Sequence, residues 1–178
     1  MLQHTAEVEP PSAAEVGPAG RGATGTFVTF ALGNQNFAVD VANVREILAM
    51  QPLTHLPNAA QGVEGLIDLR GRAVPVMDLA GRLGMPRAPE THATRLIVCE
   101  VPAGTGQTDV LGVVVDRVSE VTSLGAEAIE TPPTLGSAAD GSMIQGLSRL
   151  GPTPSERMTL LLDLAQVFGN AAPGPFDF

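Results

Sequence analysis

Short apolar runs closed by turn-forming residues recur along this chain, and they limit its fold more than any other feature. The clearest are TFVTFAL at 26–32, TRLIVCEV at 94–101 and VLGVVV at 110–115, and the run at 118–124 is expected to continue the sheet of the last two. We count about nine or ten candidate strands with little helix between them. This pattern is typical of barrels and sandwiches, whereas a parallel βαβ fold needs long helices. The sequence therefore predicts an all-β fold with short helices.

The segment GVEGLIDLRGRAVPVMDL at 62–79 predicts a tight β-hairpin. Two apolar runs flank Arg70 and Gly71, and glycine in the second turn position takes a positive φ without steric cost. Pro75 lies inside the second strand, so we expect that strand to be an edge there or to turn the proline nitrogen away from the ladder. Arg70 at the hairpin tip adds nothing to a core, and its permanent cation favours contact with another protein.

The segment DVANVREILAM at 40–50 has an ambiguous pattern. Asp40 can cap a helical turn, and Val44 and Leu48 share one helical face, but the β-branched residues allow a strand from Val44 onward. Glu46 lies in this stretch, where a charge indicates a solvated face as readily as a contact. From the residues alone both alternatives stay open.

Charge and composition narrow the possible partners. The 178 residues include 10 basic and 19 acidic ones, and the formal net charge of −9 opposes binding to nucleic-acid phosphates or anionic lipid. Aromatic residues make up 3% of the chain, with no Trp or Tyr, so we expect an aliphatic core and no base-stacking platform. The N-terminus lacks a signal-peptide pattern, and no apolar run approaches the roughly 20 residues of a membrane span. We therefore expect a cytoplasmic protein that neither binds nucleic acid nor inserts into the membrane.

The distribution of large apolar residues divides the chain into three regions. Residues 1–25 are rich in Ala, Gly, Pro, Glu and Thr and predict a disordered tail, and 170–178 form a second tail rich in Pro and Gly. The folded domain should span 26–169. Within it the single cysteine, Cys99, lies in the apolar run LIVCEV, which indicates a small core side chain.

Patterns of enzyme chemistry are weak in this chain. Gly20, Gly22 and Gly25 spell the G-x-G-x-x-G of dinucleotide-binding loops, but a predicted tail precedes them and a strand follows. Linker glycine is the favoured interpretation, and a nucleotide-binding enzyme using this loop is the alternative. The three histidines are widely spaced, so no metal site is predicted.

Four aspartates could serve acid–base chemistry, but each stands at the end of a predicted strand or helix. Capping of turns is the simpler role for such carboxylates. The four are Asp68, Asp78, Asp116 and Asp163. Two of them, Asp78 and Asp163, predict short helical turns that Gly84 and Gly169 end. We therefore predict no catalytic residue and no cofactor.

The hairpin resembles the signature of the CheW family of bacterial chemotaxis coupling proteins, which typically reads G-x-x-N-L-R-G-x-x-V-P-V-x-D-L. Further segments resemble that family in the same order along the chain, from about Thr26 to Gly169. They are FAVDVANVREI, LPNAAQGVEG, VLGVVVDRVSEV and MIQGLSRLG followed by RMTLLLDLAQVF. The resemblance implies two interleaved five-stranded β-barrels similar to SH3 domains, and it implies no enzymatic activity.

The resemblance also implies an adaptor role in two-component signal transduction. CheW-like proteins couple the cytoplasmic tips of transmembrane chemoreceptors, the methyl-accepting chemotaxis proteins, to the histidine kinase CheA, whose regulatory domain has the same fold. Such a protein would be recruited to receptor arrays at the inner face of the membrane. Because the same module serves surface motility and other chemosensory outputs, a non-flagellar pathway is an open alternative.

Particular site residues follow from the same resemblance, through positions that contact the receptor or frame the hairpin. The candidate receptor-binding residues are Val44, Glu46, Gly65, Arg70 and Gly71. The segment IETPPTL at 129–135 resembles a loop that faces the kinase. The candidate kinase-binding residues are Ile129, Glu130, Thr134 and Leu135.

Two residues depart from the family pattern. Asp68 stands where the family usually has Asn, and an Asp68–Arg70 ion pair could compete with the receptor, although an exposed pair contributes at most about 1 kcal/mol. Glu130 stands where some relatives carry a basic residue, which implies a complementary change in the kinase partner.

Overall fold

Strands dominate the computed structural model, which describes residues 24–103, 106–133, 143–150 and 158–169. In chain order the strands and α-helices are β1 (Gly25–Leu32), β2 (Gln35–Asp40), β3 (Val44–Ala49), β4 (Val63–Leu69), β5 (Arg72–Met77), α1 (Leu79–Arg82), β6 (Arg95–Pro102), β7 (Thr108–Val115), β8 (Arg117–Leu124), β9 (Ile129–Glu130), β10 (Ile144–Arg149), β11 (Met158–Leu162) and α2 (Leu164–Phe168). Single 3₁₀ turns, Val41–Asn43 and Ala126–Ala128, precede β3 and β9. Most of the predicted N-terminal tail and all of the predicted C-terminal tail lie outside the described residues.

The strands form two sheets that are interleaved along the chain. A six-stranded sheet has the order β8-β1-β2-β11-β10-β9, and a five-stranded sheet has the order β3-β6-β7-β5-β4. The chain starts in the six-stranded sheet, builds all of the five-stranded one, and then returns. This confirms the predicted class, a mostly β fold with two sheets, although the two-residue β9 gives the first sheet a sixth strand.

Both sheets curl, because the two edge strands of each are consecutive in the sequence. Five peptide links join Leu124 at the end of β8 to Ile129 at the start of β9. Five links reach at most about 18 Å, whereas the outer strands of a flat six-stranded sheet lie about 24 Å apart. In the five-stranded sheet the edges are β3 and β4, and Thr54, in the segment between them, exchanges backbone hydrogen bonds of 2.8 and 2.9 Å with Leu66 of β4.

The core has three parts that follow this topology. The main cluster takes side chains from both sheets and both helices, among them Phe30, Ile97 and Phe168. Two smaller clusters each belong to one curled sheet, around Phe27 in the first and Leu96 in the second. The buried residues are overwhelmingly aliphatic, as predicted from the composition.

Cys99 is part of the main cluster, which confirms its predicted place in the core. Its side chain is fully buried, and burial raises the pKa of the thiol to about 12. The thiol therefore stays protonated in the folded protein and is a poor nucleophile.

The expectation that residues 118–124 continue the sheet of β7 is wrong. At Asp116 the chain bends, and β8 pairs along β1 in the other sheet. The bend is held by two hydrogen bonds, from the Asp116 backbone N–H to the carbonyl of Ala31 at 3.0 Å and from the Gly33 N–H to the Asp116 carboxylate at 2.6 Å. A period-two pattern predicts a strand but carries no signal for which sheet the strand joins.

The ambiguous segment at 40–50 contains both of its predicted structures in succession. Asp40 caps the 3₁₀ turn by accepting a hydrogen bond from the Ala42 N–H at 2.8 Å, and β3 begins at Val44. The capping interpretation also holds for the four aspartates at strand and helix ends, since each accepts a hydrogen bond from a backbone N–H. The pairs are Asp68 with Gly71, Asp78 with Gly81, Asp116 with Gly33, and Asp163 with Ala165 and Gln166.

The helices of the described residues are short. The longest is α2 with five residues, which is far below the length of a membrane span.

A candidate partner-binding surface at the Arg70 hairpin

The turn between β4 and β5 places a guanidinium on a well-defined backbone. Arg70 and Gly71 both have positive φ, 53° and 81°, as a two-residue type I′ turn requires. Gly71 fills its position as predicted. Asp68 closes the turn by accepting a hydrogen bond from the Gly71 N–H at 2.7 Å. Arg70 has a Cβ, so its left-handed conformation costs about 1–2 kcal/mol.

Pro75 fits this hairpin as predicted, because the strand is an edge at that position. β5 has β4 on one side and β7 on the other, but at Pro75 it pairs with β4 alone. The ladder to β7 begins only at Val76, and Pro75 faces Leu66 across the hairpin. The backbone N–H and carbonyl of Leu66 both bond to Thr54. Leu66 therefore needs no hydrogen bond from a backbone N–H at position 75, which proline lacks.

Arg70 and Glu46 lie far apart in sequence but meet in the structure. The Arg70 Nη2 atom lies 3.2 Å from the Glu46 Oε2 atom, and the side chains are 81% and 20% exposed. The Asp68–Arg70 pair that the sequence allowed is absent from the ion pairs of the described residues: Arg70 pairs with Glu46, and the Asp68 carboxylate accepts the hydrogen bond of the turn. The intramolecular partner of Arg70 is therefore a carboxylate on β3.

The Glu46–Arg70 pair connects the two opposite edges of the five-stranded sheet. We use "seam" for the gap between the edge strands β3 and β4, which the Glu46–Arg70 pair spans. Thr54, in the segment that joins these two strands, is bridged to Leu66 of β4. Gly65 lies at this seam and is buried. A Cβ at position 65 would lie 2.7 Å from the carbonyl oxygen of Thr54, closer than real Cβ contacts come. Gly65 therefore permits the close approach of two backbones and presents no side chain to a partner.

Val44 is half-buried and packs against the main core. Two large apolar residues near it in sequence are more exposed, Val41 at 40% and Ile47 at 38%. Neither is among the candidate site residues indicated by the sequence. The signal that could have found Ile47 is the alternation of β3, where every second residue is exposed.

Of the four predicted kinase-binding residues, the structure describes two, and one of these two is buried. Ile129 is buried in the core of the six-stranded sheet, and Thr134 and Leu135 lie outside the described residues. Glu130 is exposed, and its carboxylate accepts a hydrogen bond of 2.9 Å from the Arg149 Nε atom on β10. The hydrogen bond and the charge of Glu130 raise the pKa of Arg149. This edge therefore presents an ion pair and not an isolated acid.

A cleft that sequence analysis did not identify lies beside the seam. Its volume is about 850 Å³, and it is lined by Met50, Gln51, Pro52, Leu53, Glu64, Arg87 and Glu90. Arg87 forms ion pairs with both Glu64 and Glu90, which ties the segment before β6 to β4.

The alternative of a nucleotide-binding loop gains no support from the part of the chain that the structure describes. Gly25 opens β1, whereas a dinucleotide loop opens a helix, and Gly20 and Gly22 lie outside the described residues. Within the described ranges no group of three or more His, Cys, Asp or Glu side chains is arranged to hold a metal ion.

This chain is similar to known proteins in both sequence and fold. It is 33% identical over 144 residues to the probable chemotaxis protein CheW of Rhizobium etli, covering 81% of this chain and 87% of that protein. The chemotaxis protein CheW of Klebsiella aerogenes is likewise 33% identical over 144 residues, covering 81% of each chain. Protein PilI of Pseudomonas aeruginosa is 34% identical over 92 residues, covering 51% of this chain and 48% of PilI.

A solved structure shows the same fold. The crystal structure of the scaffolding protein TtCheW from Thermoanaerobacter tengcongensis superposes with a TM-score of 0.69 at 24% identity, covering 89% of this chain and 97% of that one. Residues 26–172 match the CheW-like domain family. The chain therefore belongs to the CheW family of proteins in chemotaxis-type signal transduction.

Proposed function

We propose that this chain is a non-enzymatic adaptor that binds the cytoplasmic tip of a chemoreceptor and the regulatory domain of the histidine kinase CheA. The observation that carries the receptor half is the exposed guanidinium of Arg70 on a closed turn, in contact with Glu46. Binding to these partners would hold the protein at receptor arrays at the inner face of the membrane.

The chemistry of the hairpin tip supports a protein partner. A non-glycine residue that is kept in a disfavoured backbone conformation is typical of functional sites. Arginine is enriched among the residues that dominate binding energy at interfaces. Arg70 combines both properties, and its side chain is four-fifths exposed.

The kinase half of the proposal is supported by the edge formed by β9 and β10. Glu130 and Arg149 are both about half exposed there and belong to the other sheet from the Arg70 turn. Two partners could therefore bind at once. Each contact can be modest, because multivalency in an array raises the overall affinity.

The test is charge reversal at Arg70 with a matched control two residues away. Arg70→Glu should lower the affinity for a receptor cytoplasmic fragment at least about 30-fold, the loss expected at a binding hot spot. Arg72→Glu introduces the same charge change at an exposed residue of the same hairpin and should leave binding nearly unchanged. Binding is measured by co-sedimentation with the receptor fragment, and thermal unfolding checks that both variants fold.

The kinase provides a second control in the same experiment. Arg70→Glu should still capture CheA in a pull-down, because the proposed kinase surface lies in the other sheet. Receptor binding that survives Arg70→Glu would refute the receptor site, and a wild-type chain that captures neither partner would refute the proposed function.

A second pathway has a specific observation in its favour. The match to PilI covers about half of this chain at an identity similar to that of the CheW relatives. We therefore keep a chemosensory pathway with a non-flagellar output as the alternative. Identification of the kinase captured from the native cell distinguishes the two pathways.

A further inference from the structure

We propose that the cleft beside the seam is a second binding site of this chain, and that it receives the side chain of a lysine on a partner protein. The residues that line the cleft include neither Arg70 nor any residue of β9 or β10. The site is therefore separate from the receptor and kinase contacts proposed above, and it does not depend on either of them.

The cleft has the size and the apolar wall of a ligand site. Its volume of about 850 Å³ falls within the roughly 300–1,000 Å³ that is usual for ligand clefts. Met50 and Leu53 belong to its lining, and both pack against the smaller core cluster of the five-stranded sheet, so the fold holds this wall in place. A lysine packs its four-carbon stem along such a wall and keeps its ammonium at the polar end.

The charges in the cleft do not balance. Glu64 and Glu90 contribute two carboxylates, whereas Arg87, which pairs with both, contributes one guanidinium. The Arg87 Nη1 atom contacts Oε1 of Glu64, and its Nη2 atom lies 3.4 Å from Oε1 of Glu90. One further cation would neutralise this group of charges.

The Glu64 carboxylate is incompletely paired. Its side chain is 13% exposed, and its Oε2 atom is the one buried side-chain oxygen or nitrogen in the described part of the chain that has no hydrogen-bond partner. A buried polar atom without a partner destabilises the folded state. Arg87, which pairs with the other oxygen, belongs to the exposed segment between α1 and β6, and a shift of its side chain would open the way to Oε2. A cation that reaches this atom gains a charge-assisted hydrogen bond that the free protein lacks.

The oxygens that remain for a ligand suit a lysine better than an arginine. Arg87 takes Oε1 of each carboxylate, so a ligand meets the second oxygens of two different residues, Glu64 and Glu90. A guanidinium is planar and matches the two oxygens of one carboxylate, whereas an ammonium is a compact charge with three rotatable donors.

The lysine has to come from another protein. The sequence has 10 basic residues, and all of them are arginine. Neither this sequence nor a second copy of it can supply a lysine side chain. The net charge of −9 favours the approach of a basic partner.

The test uses the full chain and three acetylated tripeptide amides: Leu-Lys-Leu, Leu-Arg-Leu and Leu-norleucine-Leu. Binding is measured by NMR titration of the backbone amide signals. The lysine peptide should bind with a Kd on the order of 1 mM and shift the signals of Met50, Leu53 and Glu64. The arginine peptide should bind at least about threefold more weakly, and the norleucine peptide should not saturate the site.

A charge-neutral variant locates the site. Glu64→Gln keeps the shape of the side chain but removes its charge, so it should weaken binding of the lysine peptide at least about tenfold. Glu100→Gln is the matched control, because Glu100 is an ion-paired acid of the same sheet that lies outside the cleft, and its affinity should stay within about twofold of wild type. Thermal unfolding checks that both variants fold.

Carbodiimide coupling of the wild-type chain gives a second measurement that needs no variant. The reagent joins a carboxylate to an amine, and no lysine of this chain can compete with the lysine of the peptide. Mass spectrometry should find the peptide attached to Glu64 or Glu90. Attachment spread evenly over the exposed acids of the chain would contradict the site.

The other outcomes decide between the parts of the proposal. Equal affinity for the lysine and arginine peptides would overturn the assignment of lysine, and unchanged binding by Glu64→Gln would overturn the location. Equal binding of the norleucine peptide, or no saturable binding of the lysine peptide, would overturn the cation site altogether. A chain that binds the lysine peptide but neither the receptor fragment nor CheA would refute the proposed function and leave this inference intact.

Discussion

At the scale of single residues, Arg70 combines an unfavourable backbone with a favourable side-chain position. The left-handed region at φ 53° suits Gly, Asn or Asp in a type I′ turn, and Arg at this position lowers stability. The exposed ion pair with Glu46 offsets at most about 1 kcal/mol of that cost. Stability alone therefore does not explain why an arginine occupies the turn, whereas the proposed binding to a partner would explain it.

A pair of substitutions at position 70 isolates the backbone strain. Arg70→Asn and Arg70→Ala both remove the guanidinium, so both should lose receptor binding to the same extent. Asn tolerates the left-handed region better than Ala, so its free energy of unfolding should be higher by about 0.5–1 kcal/mol. Urea unfolding of the two variants measures this difference. Equal stabilities would show that the turn does not hold residue 70 at a positive φ.

At the scale of secondary-structure elements, the candidate site forms where the edge strands β3 and β4 come together at the seam. Glu46 belongs to one edge strand and Arg70 to the turn that ends the other, so the pair exists only when the sheet curls far enough to bring its edges together. The Thr54–Leu66 bridge holds the segment between the two strands against β4. Gly65 makes that bridge possible because it leaves room for the Thr54 carbonyl.

Substitution of Gly65 by Ala should therefore open the seam. The added Cβ would collide with a backbone oxygen, which cannot rotate away as a flexible side chain does, and the free energy of unfolding should fall by about 1–3 kcal/mol. Gly25→Ala is the matched control in another strand, where the nearest atom to the new Cβ lies at an ordinary 3.7 Å. Chemical denaturation compares the two variants. A Gly65→Ala protein as stable as Gly25→Ala would contradict this account of the seam.

At the scale of the whole molecule, the main core joins the two sheets into one unit. Side chains from both sheets and both helices meet in it, and the Arg82 Nε atom of α1 donates a 2.7 Å hydrogen bond to the Val167 carbonyl of α2. Neither sheet can lose its part of this cluster without exposing the apolar surface of the other. The described part of the chain should therefore unfold cooperatively.

The reactivity of Cys99 measures that cooperativity, because its thiol is buried in the main core. Burial raises the pKa of its thiol to about 12, so in the folded state it stays protonated and shielded, while in the unfolded state it titrates near its ordinary value of 9.0. Alkylation under native conditions should require global unfolding, and the opening free energy from alkylation rates should equal that from urea unfolding. Faster alkylation would mean that the sheets separate before they unfold.

The raised pKa of Cys99 also makes the stability of the fold depend on pH. The raised pKa disfavours the thiolate in the folded state, so its contribution to stability is fully present below pH 9.0 and is lost as the pH rises toward about 12. A Cys99→Ala variant should lack this component of the alkaline loss.

Much of the local structure follows from the sequence alone. The strands, the turn at Gly71 and the caps formed by the aspartates depend on residues within a few positions of each other, through hydrogen bonds and backbone conformations that local residue types set. The ordered set of motifs was sufficient for the resemblance to the CheW family, which the comparisons confirm. The receptor and kinase contacts remain predictions.

Only the tertiary structure decided which distant groups meet. It placed β8 in the other sheet from β7, gave Arg70 the carboxylate of Glu46 and not that of Asp68, and set Gly65 against Thr54. Residue patterns reveal the period of a strand and the type of a turn, but the neighbours of a strand depend on long-range register and on how far a sheet curls. The elements are local and were predictable, whereas the seam that brings Glu46 to Arg70 is formed by chain closure.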